Sequence, residues 1–199
     1  MNKVITISRE YGAGGHTIGK RVAQELGIEI YDKDIVRETV RASGFETEVV
    51  QEEEEDVSKA STFLKSLCSS SVHYRDPQEV IHEVQTAVIL QFAKKGPCVI
   101  LGRCADDILR ESDMDVLNVF IHADDLHRAV RISEMTGITN ATELQKLMAK
   151  KDSSRRNYYE HYTHKKWGDS HNYDLTLDSG KLGVDLCVQM IVEAAKAGE

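Results

Sequence analysis

A glycine-rich segment between a short apolar run and an amphipathic run constrains this chain more than any other feature. The apolar, β-branched run Val4–Ile7 predicts a buried strand, and residues 17–26 place apolar side chains at helical spacing until Gly27. Between them, the segment Arg9–Thr17 contains three glycines. Glycine accepts positive φ, so successive N–H groups turn toward a ligand, and the helix N-terminus adds positive potential. The segment predicts a phosphate-binding loop, although a tight turn without a ligand has the same local pattern. The residues predicted to hold phosphate are Gly12, Ala13, Gly14, Gly15, His16 and Thr17.

The loop departs from the nucleotide-binding pattern G-x-x-x-x-G-K-[ST]. Its second glycine is Gly14, but Arg9 stands at the first glycine, Gly15 at the lysine and His16 at the Ser/Thr position. The missing lysine normally neutralises phosphate charge during transfer. Arg9, His16 and Lys20 are the candidates to replace it. Arg9 is our hypothesis for a catalytic cation, because it lies at the mouth of the loop and always carries charge.

The rest of the chain alternates apolar strands with helices. The predicted strands are Val4–Ile7, Ile28–Tyr31, Cys98–Leu101, Val116–Ile121 and Leu175–Leu177. The predicted helices are Thr17–Leu26, Asp34–Ala42 with Asp32 or Asp34 as its cap, one from Pro77 to Gly96-Pro97, Leu126–Met135, Ala141–Lys151 and Leu182–Ala197. This alternation predicts an α/β fold with three layers, in which helices cover both faces of a parallel sheet.

Composition excludes several classes of partner. The 199 residues carry a net charge of −8, which argues against binding to nucleic acid or an anionic membrane. No stretch approaches the roughly 20 apolar residues of a membrane helix, and the N-terminus lacks a signal-peptide layout, so a cytoplasmic location is expected. The scattered cysteines predict reduced thiols. The acidic run Gln51–Asp56 predicts a solvated helix face or loop, with a regulatory or metal-binding role as the alternative.

From Val4 to about Ala195 the sequence resembles the cytidylate kinase-like family, a branch beside the true bacterial cytidylate kinases. Five motifs in family order carry the resemblance: Ser8–His16, Gly102–Asp106, Arg155–Tyr159, Lys165–Asp169 and Tyr173–Leu182. The resemblance implies a single P-loop kinase-like domain over residues 1–199. It also implies a helical monophosphate-binding insert at about residues 33–95 and a lid at about residues 136–172.

The resemblance further implies an ATP-dependent enzyme that uses Mg²⁺ and moves the γ-phosphate to a nucleoside monophosphate, CMP or dCMP. Small-molecule nucleotides are then its partners. Two departures from the family pattern keep two alternatives open: the loop lysine is missing, and the acceptor motif has Cys104 in place of its aspartate. The chain binds nucleotide without transferring phosphate, or it is a kinase for a small molecule that is not a nucleotide.

Acceptor-binding residues follow from the same resemblance. Arg103 matches the arginine of the family's G-R-D motif, and Cys104 stands where that motif has aspartate, with Asp106 nearby. Asp32 matches the acidic residue that opens the monophosphate-binding helix. Arg37 approximates a monophosphate-contacting arginine, one residue out of register.

The lid carries the remaining predicted residues. Arg155 and Arg156 resemble the lid arginines that close over the donor phosphates, and a basic helix end exposed to solvent is the alternative. Thr17 or a nearby water is the predicted magnesium contact. Trp167 lies among tyrosines that predict packing of a lid or a subunit contact, with stacking on a base as the alternative. Cys104 is predicted to be a small space-filling residue, with a reactive thiol as the alternative.

Overall fold

The computed structural model describes residues 3–44 and 77–197. The strands are β1 (Val4–Arg9), β2 (Glu29–Tyr31), β3 (Cys98–Leu101), β4 (Val116–His122) and β5 (Leu175–Asp178). The helices are α1 (Gly15–Leu26), α2 (Lys33–Ser43), α3 (Pro77–Lys94), α4 (Ala105–Ile108), α5 (Asp125–Thr136), α6 (Ala141–Thr163) and α7 (Ser179–Lys196), with a 3₁₀ turn at Ser170–Asn172. The acidic run Gln51–Asp56 and Cys68 lie outside the described residues.

The strands form one parallel sheet in the order β2-β3-β1-β4-β5. The central strand β1 pairs with β3 up to Ile7 and Leu101, and with β4 up to Arg9 and Ile121. The chain runs from β1 to one side of the sheet and later returns to the other side, so a crevice opens beyond the carboxyl ends of these strands. The loop that follows β1 therefore lies beside the turn that follows β3.

Two apolar clusters cover the two faces of the sheet. Ile5 and Ile7 pack with Val22 of α1 and Ile191 of α7. On the opposite face, Val4 and other buried residues pack against α3 and α4. Strands buried on both faces are continuously apolar, which is the pattern seen in the sequence. The predicted three-layer α/β fold is confirmed.

Several predicted boundaries differ from the structure, and α6 differs most. The helix predicted to end at Lys151 continues to Thr163, a total of 23 residues. Its second half is polar and aromatic rather than aliphatic, and the buried side chains of Tyr158 and Tyr159 hold it against the end of the sheet. The aliphatic periodicity that marks a helix in sequence is absent there, although tertiary packing stabilises one. Similarly, α1 starts two residues earlier than predicted, at Gly15.

Other local predictions hold. Gly27 ends α1 with φ of 65°, and α3 begins at Pro77 as predicted. Asp32 is the residue that precedes α2, but its side chain makes no capping hydrogen bond. Cys98, Cys104 and Cys187 are buried thiols without a disulfide. None of the helices in the described ranges is long and apolar enough to cross a membrane.

A buried hydrogen bond between β1 and β4 gives a test of the sheet. The hydroxyl of Thr6 donates to the side-chain oxygen of its cross-strand neighbour Asn118 at 2.7 Å. We expect Thr6→Val to lower the free energy of unfolding by about 1–3 kcal/mol, because the amide oxygen of Asn118 is left buried without this donor. Urea titration measures the change. The double variant Thr6→Val/Asn118→Leu should be more stable than Thr6→Val, since both polar partners are then removed. This account would be contradicted if the free energy of unfolding of the double variant fell by the sum of the losses in Thr6→Val and Asn118→Leu.

Candidate active site

The glycine-rich loop joins the carboxyl end of β1 to the N-terminus of α1. Gly12 and Gly14 have φ of 83° and 80°, which is the left-handed region, and Gly14 is the residue that caps α1. No acidic side chain lies in the first turn of α1. A helix N-terminus leaves its first N–H groups without helical partners, so these groups are directed at the space in front of the loop. The strand, loop and helix predicted from the sequence are confirmed in this geometry.

Helix α5 packs directly on the loop. A Cβ atom at Gly12 would lie 2.8 Å from the side chain of Ile132, and one at Gly14 would overlap Nη1 of Arg131. These glycines are needed for space as well as for their backbone conformation. The guanidinium of Arg131 therefore lies over the start of α1, beside the predicted phosphate-binding groups.

The buried side chain of Arg128 ties the loop to α5 and α6. Its Nε donates to the carbonyl of Tyr11 at 2.8 Å, and its Nη1 lies 3.2 Å from a carboxylate oxygen of Glu10. Its Nη2 pairs with Asp152 of α6, and Asp152 also accepts a hydrogen bond from the N–H of Tyr11 at 2.8 Å. A buried arginine with several charged and polar partners holds its neighbours in a defined arrangement. We refer to Arg128, Asp152, Glu10 and Tyr11 as the loop clasp.

A cavity of about 180 Å³ opens beside the loop, at the carboxyl ends of β1 and β3. Its lining includes the cations Arg9, Arg103, Lys151 and Arg155. Its aromatic side chains are Tyr11, Tyr158, Tyr159 and Trp167. No Asp or Glu of the described ranges belongs to this lining. We refer to this space as the cationic cavity.

The cations of this cavity are held in an unfavourable environment. Burial lowers the pKa of Arg103 to about 10; the attraction of Asp32 partly opposes this, and repulsion from Arg9 is a smaller further cause of the lowering. Burial likewise lowers the pKa of Arg155 to about 10, followed by repulsion from Arg9. The pKa of Arg9 is also lowered by burial and raised again in part by Asp32. Burial of a cation costs free energy, and cations at close range repel one another. An anion that enters the cavity would offset both the cost of burial and the repulsion.

The turn after β3 projects Arg103 into the cavity. Gly102, Arg103 and Cys104 have φ of 72°, 58° and 55°, three left-handed residues in succession. Non-glycine residues rarely adopt this conformation, and such strain concentrates at functional sites. Burial raises the pKa of the Cys104 thiol well above its usual value, followed by the effect of Asp106. Its burial and the raised pKa of its thiol favour the predicted space-filling role of Cys104 over the reactive thiol.

Asp106 lies behind the cavity wall rather than in the cavity lining. It is 1% exposed, and its Oδ2 accepts a hydrogen bond from the hydroxyl of Tyr159 at 2.8 Å. Burial raises the pKa of Asp106 to about 6, and the bond from Tyr159 partly opposes that rise. Asp106 thus orients a tyrosine of the lining, whereas the sequence predicted that it binds the acceptor.

The structure brings some predicted residues together and leaves others apart. The carboxylate of Asp32 lies 3.9 Å from Nη2 of Arg9 and 3.8 Å from Nε2 of His16. In contrast, Arg37 is exposed and pairs with Asp34 within α2. Arg37 does not belong to the cavity lining.

The two predicted lid arginines diverge. Arg155 lines the cavity, and its Nη1 donates to the carbonyl of Arg9 at 3.0 Å. Arg156, the next residue of α6, is exposed and lies over the ring of Trp167, with 5.7 Å between guanidinium carbon and ring centroid. Arg155 belongs to the face of α6 that lines the cavity, and Arg156 falls outside that face.

The aromatic cluster around Trp167 is part of the core. Trp167 packs edge-on against Phe120 of β4 at 5.4 Å, and Tyr158, Tyr159 and Tyr173 belong to the same buried cluster. The cluster thus packs the predicted lid helix α6 against β4, as one of the two predicted packing roles requires. One face of the cluster also forms the aromatic wall of the cationic cavity.

A second cavity, of about 310 Å³, lies on the α5 and α7 side of the glycine loop. Its lining includes Gly12, Leu126, Val130, Arg131 and Gly180. Leu126 and Val130 are 72% and 51% exposed, so the cavity has an apolar outer wall.

Sequence reasoning missed Arg128 and Arg131, and it missed the loop clasp. A signal was present, since arginines three residues apart on the helix after a central strand face the same way. The partners of Arg128 come from two separate segments, the glycine loop and α6, so their contact is visible only in the fold. Among the described residues, no group of three or more His, Cys, Asp or Glu side chains is arranged to hold a metal ion.

Comparisons with known proteins agree with this geometry. The sequence model of the cytidylate kinase-like family matches residues 4–181. A protein named cytidylate kinase from Methanococcus maripaludis strain S2 is 30% identical over 123 residues, 60% of this chain and 68% of the relative. An uncharacterised protein from Eubacterium ventriosum has a solved structure with a TM-score of 0.73 and 27% identity, covering 98% of this chain and 99% of that one. The structure of a deoxyadenosine kinase from M. mycoides has a TM-score of 0.52 at 12% identity, covers 98% and 99% of the two chains, and supports the fold alone.

The raised pKa of Asp106 predicts how stability depends on pH. In the folded state the carboxyl of Asp106 keeps its proton up to about pH 6, whereas in the unfolded state it loses this proton near its ordinary, lower pKa. The free energy of unfolding should therefore fall as pH rises between these two pKa values. We expect Asp106→Asn to raise the free energy of unfolding at pH 7.5 by on the order of 1–3 kcal/mol, with little effect at pH 4. Urea unfolding at both pH values measures this. Asp113→Asn, at an exposed position, is the matched control. Equal destabilisation of Asp106→Asn at both pH values would contradict the prediction.

Proposed function

Since the chain belongs to the cytidylate kinase-like family, we propose that it transfers the γ-phosphate of ATP to a nucleoside monophosphate, with CMP or dCMP as the acceptor. The observation that carries this proposal is the cationic cavity beside the glycine loop. Three guanidinium groups converge there, on the side of the loop where Arg103 projects from the turn after β3. The transition state of phosphoryl transfer spreads negative charge over several oxygens, so positioned cations stabilise it.

The donor nucleotide would occupy the loop and the second cavity. The N–H groups of residues 12–17 would hold its phosphates, because they lie at the N-terminus of α1 without acidic neighbours in the first turn. The apolar wall formed by Leu126 and Val130 suits the face of a base. Arg131 lines the same cavity and its guanidinium lies against Gly14, where it would contact the phosphate chain.

The acceptor would bind in the cationic cavity through Arg103. An alcohol acceptor needs a general base, and no Asp or Glu of the described ranges lines this cavity. The carboxylate of Asp32, a predicted acceptor-binding residue, lies beside Arg9 and His16. A phosphate acceptor is already an anion and requires positioning and charge only. These features favour a monophosphate over a small alcohol.

Magnesium would accompany the ATP. Mg²⁺ keeps several waters and binds mainly through substrate phosphates, so one or two oxygens from the protein are sufficient. The exposed Thr17 in the first turn of α1 and the carboxylate of Asp32 are the oxygen donors that fit this requirement. The bound metal would neutralise charge on the donor phosphates.

Helix α6 would act as the cover of the site. Lys151, Arg155, Tyr158 and Tyr159 lie on one face of this helix and all line the cavity. The loop clasp joins Asp152 of the same helix to the loop. We propose that the lid at about residues 136–172 covers the two substrates and that the insert at about residues 33–95 binds the monophosphate, both within one domain. The lid would exclude the water that otherwise hydrolyses ATP.

The first test is release of ADP from Mg·ATP in the presence of CMP, dCMP, UMP or AMP. We expect one or more of these acceptors to stimulate turnover, and Arg103→Ala to lower the acceptor kcat/KM by 10²–10³-fold, as expected when a charged phosphate contact is lost. Arg21→Ala is the matched control, because this arginine pairs with Asp185 and Glu25 on the exposed side of α1.

The outcomes separate the proposal from its alternatives. ATP binding without stimulation by any monophosphate would contradict the proposed acceptor. Turnover with a nucleoside or sugar alcohol alone would favour a kinase for another small molecule. ATP binding without transfer to any acceptor would favour a nucleotide-binding protein.

A further inference from the structure

The side chain of Arg9 runs across two glycines that flank the site. A Cβ atom at Gly15 would lie 2.7 Å from Cβ and 2.8 Å from Cγ of Arg9. A Cβ atom at Gly102, in the turn after β3, would overlap Nη1 of Arg9. The arginine stem therefore occupies the space of a side chain at position 15, and its guanidinium reaches across to the neighbouring strand.

This arrangement explains the departure of the loop from the nucleotide-binding pattern. Position 15 is where that pattern has lysine, and position 9 is where it has its first glycine. A lysine at position 15 would need the space that Arg9 fills. The two departures are thus one exchange: the long cation moves from position 15 to position 9, and the glycine moves the other way.

We propose that Arg9 performs the task of the missing lysine and contacts the transferring phosphoryl group, with Gly15 and Gly102 as its seat. This inference rests on the proposed phosphotransferase function and deepens it. The seat directs the guanidinium into the cationic cavity, between the loop that would hold the donor and Arg103, which would hold the acceptor. A planar guanidinium donates to two oxygens at once, so it suits a group shared between donor and acceptor.

Two contacts hold Arg9 in this seat. Its guanidinium lies 3.9 Å from the carboxylate of Asp32, and its own carbonyl accepts a hydrogen bond from Arg155 of α6 at 3.0 Å. The side chain is 20% exposed and shares its cavity with two further guanidinium groups. Like charges at close range lower the stability of the fold, and their retention is expected where an anion binds.

The test uses four variants: Arg9→Met, Arg9→Ala, Gly15→Lys and the double variant Arg9→Ala/Gly15→Lys. We expect Arg9→Met and Arg9→Ala to lower kcat at least ~100-fold, the usual loss when one charge-stabilising donor is removed. Gly15→Lys should also lower kcat, because its stem overlaps Arg9. The kcat of the double variant should exceed those of Arg9→Ala and Gly15→Lys by about tenfold or more, since the lysine side chain then occupies the space that Arg9 has left. Arg21→Met is the matched control.

Two measurements distinguish a catalytic role from a structural one. The melting temperature of Arg9→Met should equal or exceed that of the wild type, because a desolvated cation among cations is removed. The wild type's preference for ATP over ADP should fall about tenfold in Arg9→Met, since only ATP carries the γ-phosphate. Isothermal titration calorimetry measures the affinities for both nucleotides.

The outcomes keep the two proposals apart. A wild type that transfers phosphate to no acceptor would refute the proposed function, and the ratio of ATP to ADP affinities would still test Arg9. An Arg9→Met variant with a kcat within threefold of wild type, or with an unchanged ratio of ATP to ADP affinities, would overturn the inference. A double variant no faster than Arg9→Ala would overturn the exchange of positions 9 and 15.

Discussion

The pairing of β1 with β3 on one side and with β4 on the other decides where the functional side chains of this protein lie. Both pairings are parallel, so the carboxyl ends of three strands meet at one edge of the sheet. The glycine loop, the turn that carries Arg103 and the start of α5 all leave from this edge. Residues about 90 positions apart in sequence consequently share one cavity, and their proximity depends on strand register rather than on any local preference.

Electrostatic repulsion is the second constraint, and it opposes stability. Arg9, Arg103 and Arg155 are brought together in a partly desolvated cavity, and the carboxylate of Asp32 partly compensates all three. The loop clasp holds the surrounding segments in place against this repulsion. Arg128 and Asp152 fasten the loop to α5 and α6 through buried, charge-assisted hydrogen bonds. A rigid frame around repelling cations is the arrangement expected of a site organised before its anionic ligand arrives.

Local physical rules accounted for most secondary structure and failed where tertiary contacts decide. Val4, Ile5 and Ile7 predict a buried strand because continuous apolar, β-branched runs are stable only inside a parallel sheet. Gly27 predicts a helix end because glycine accepts left-handed φ. The second half of α6 lacks such a signal, since its buried residues are aromatic and its stability derives from packing against Phe120 and Cys104.

The sequence by itself determined the class of fold, the place of the glycine loop and the presence of unusual cations around it. These depend on hydrophobic period and on glycine conformation, which are properties of short segments. Only the tertiary structure decided which cations meet. It brought Arg155 into the cavity and left Arg156 and Arg37 outside, placed Asp106 behind Tyr159, and laid Arg131 over the loop. The reason is that side-chain direction depends on helix phase and strand register, which become defined only when distant segments pack together.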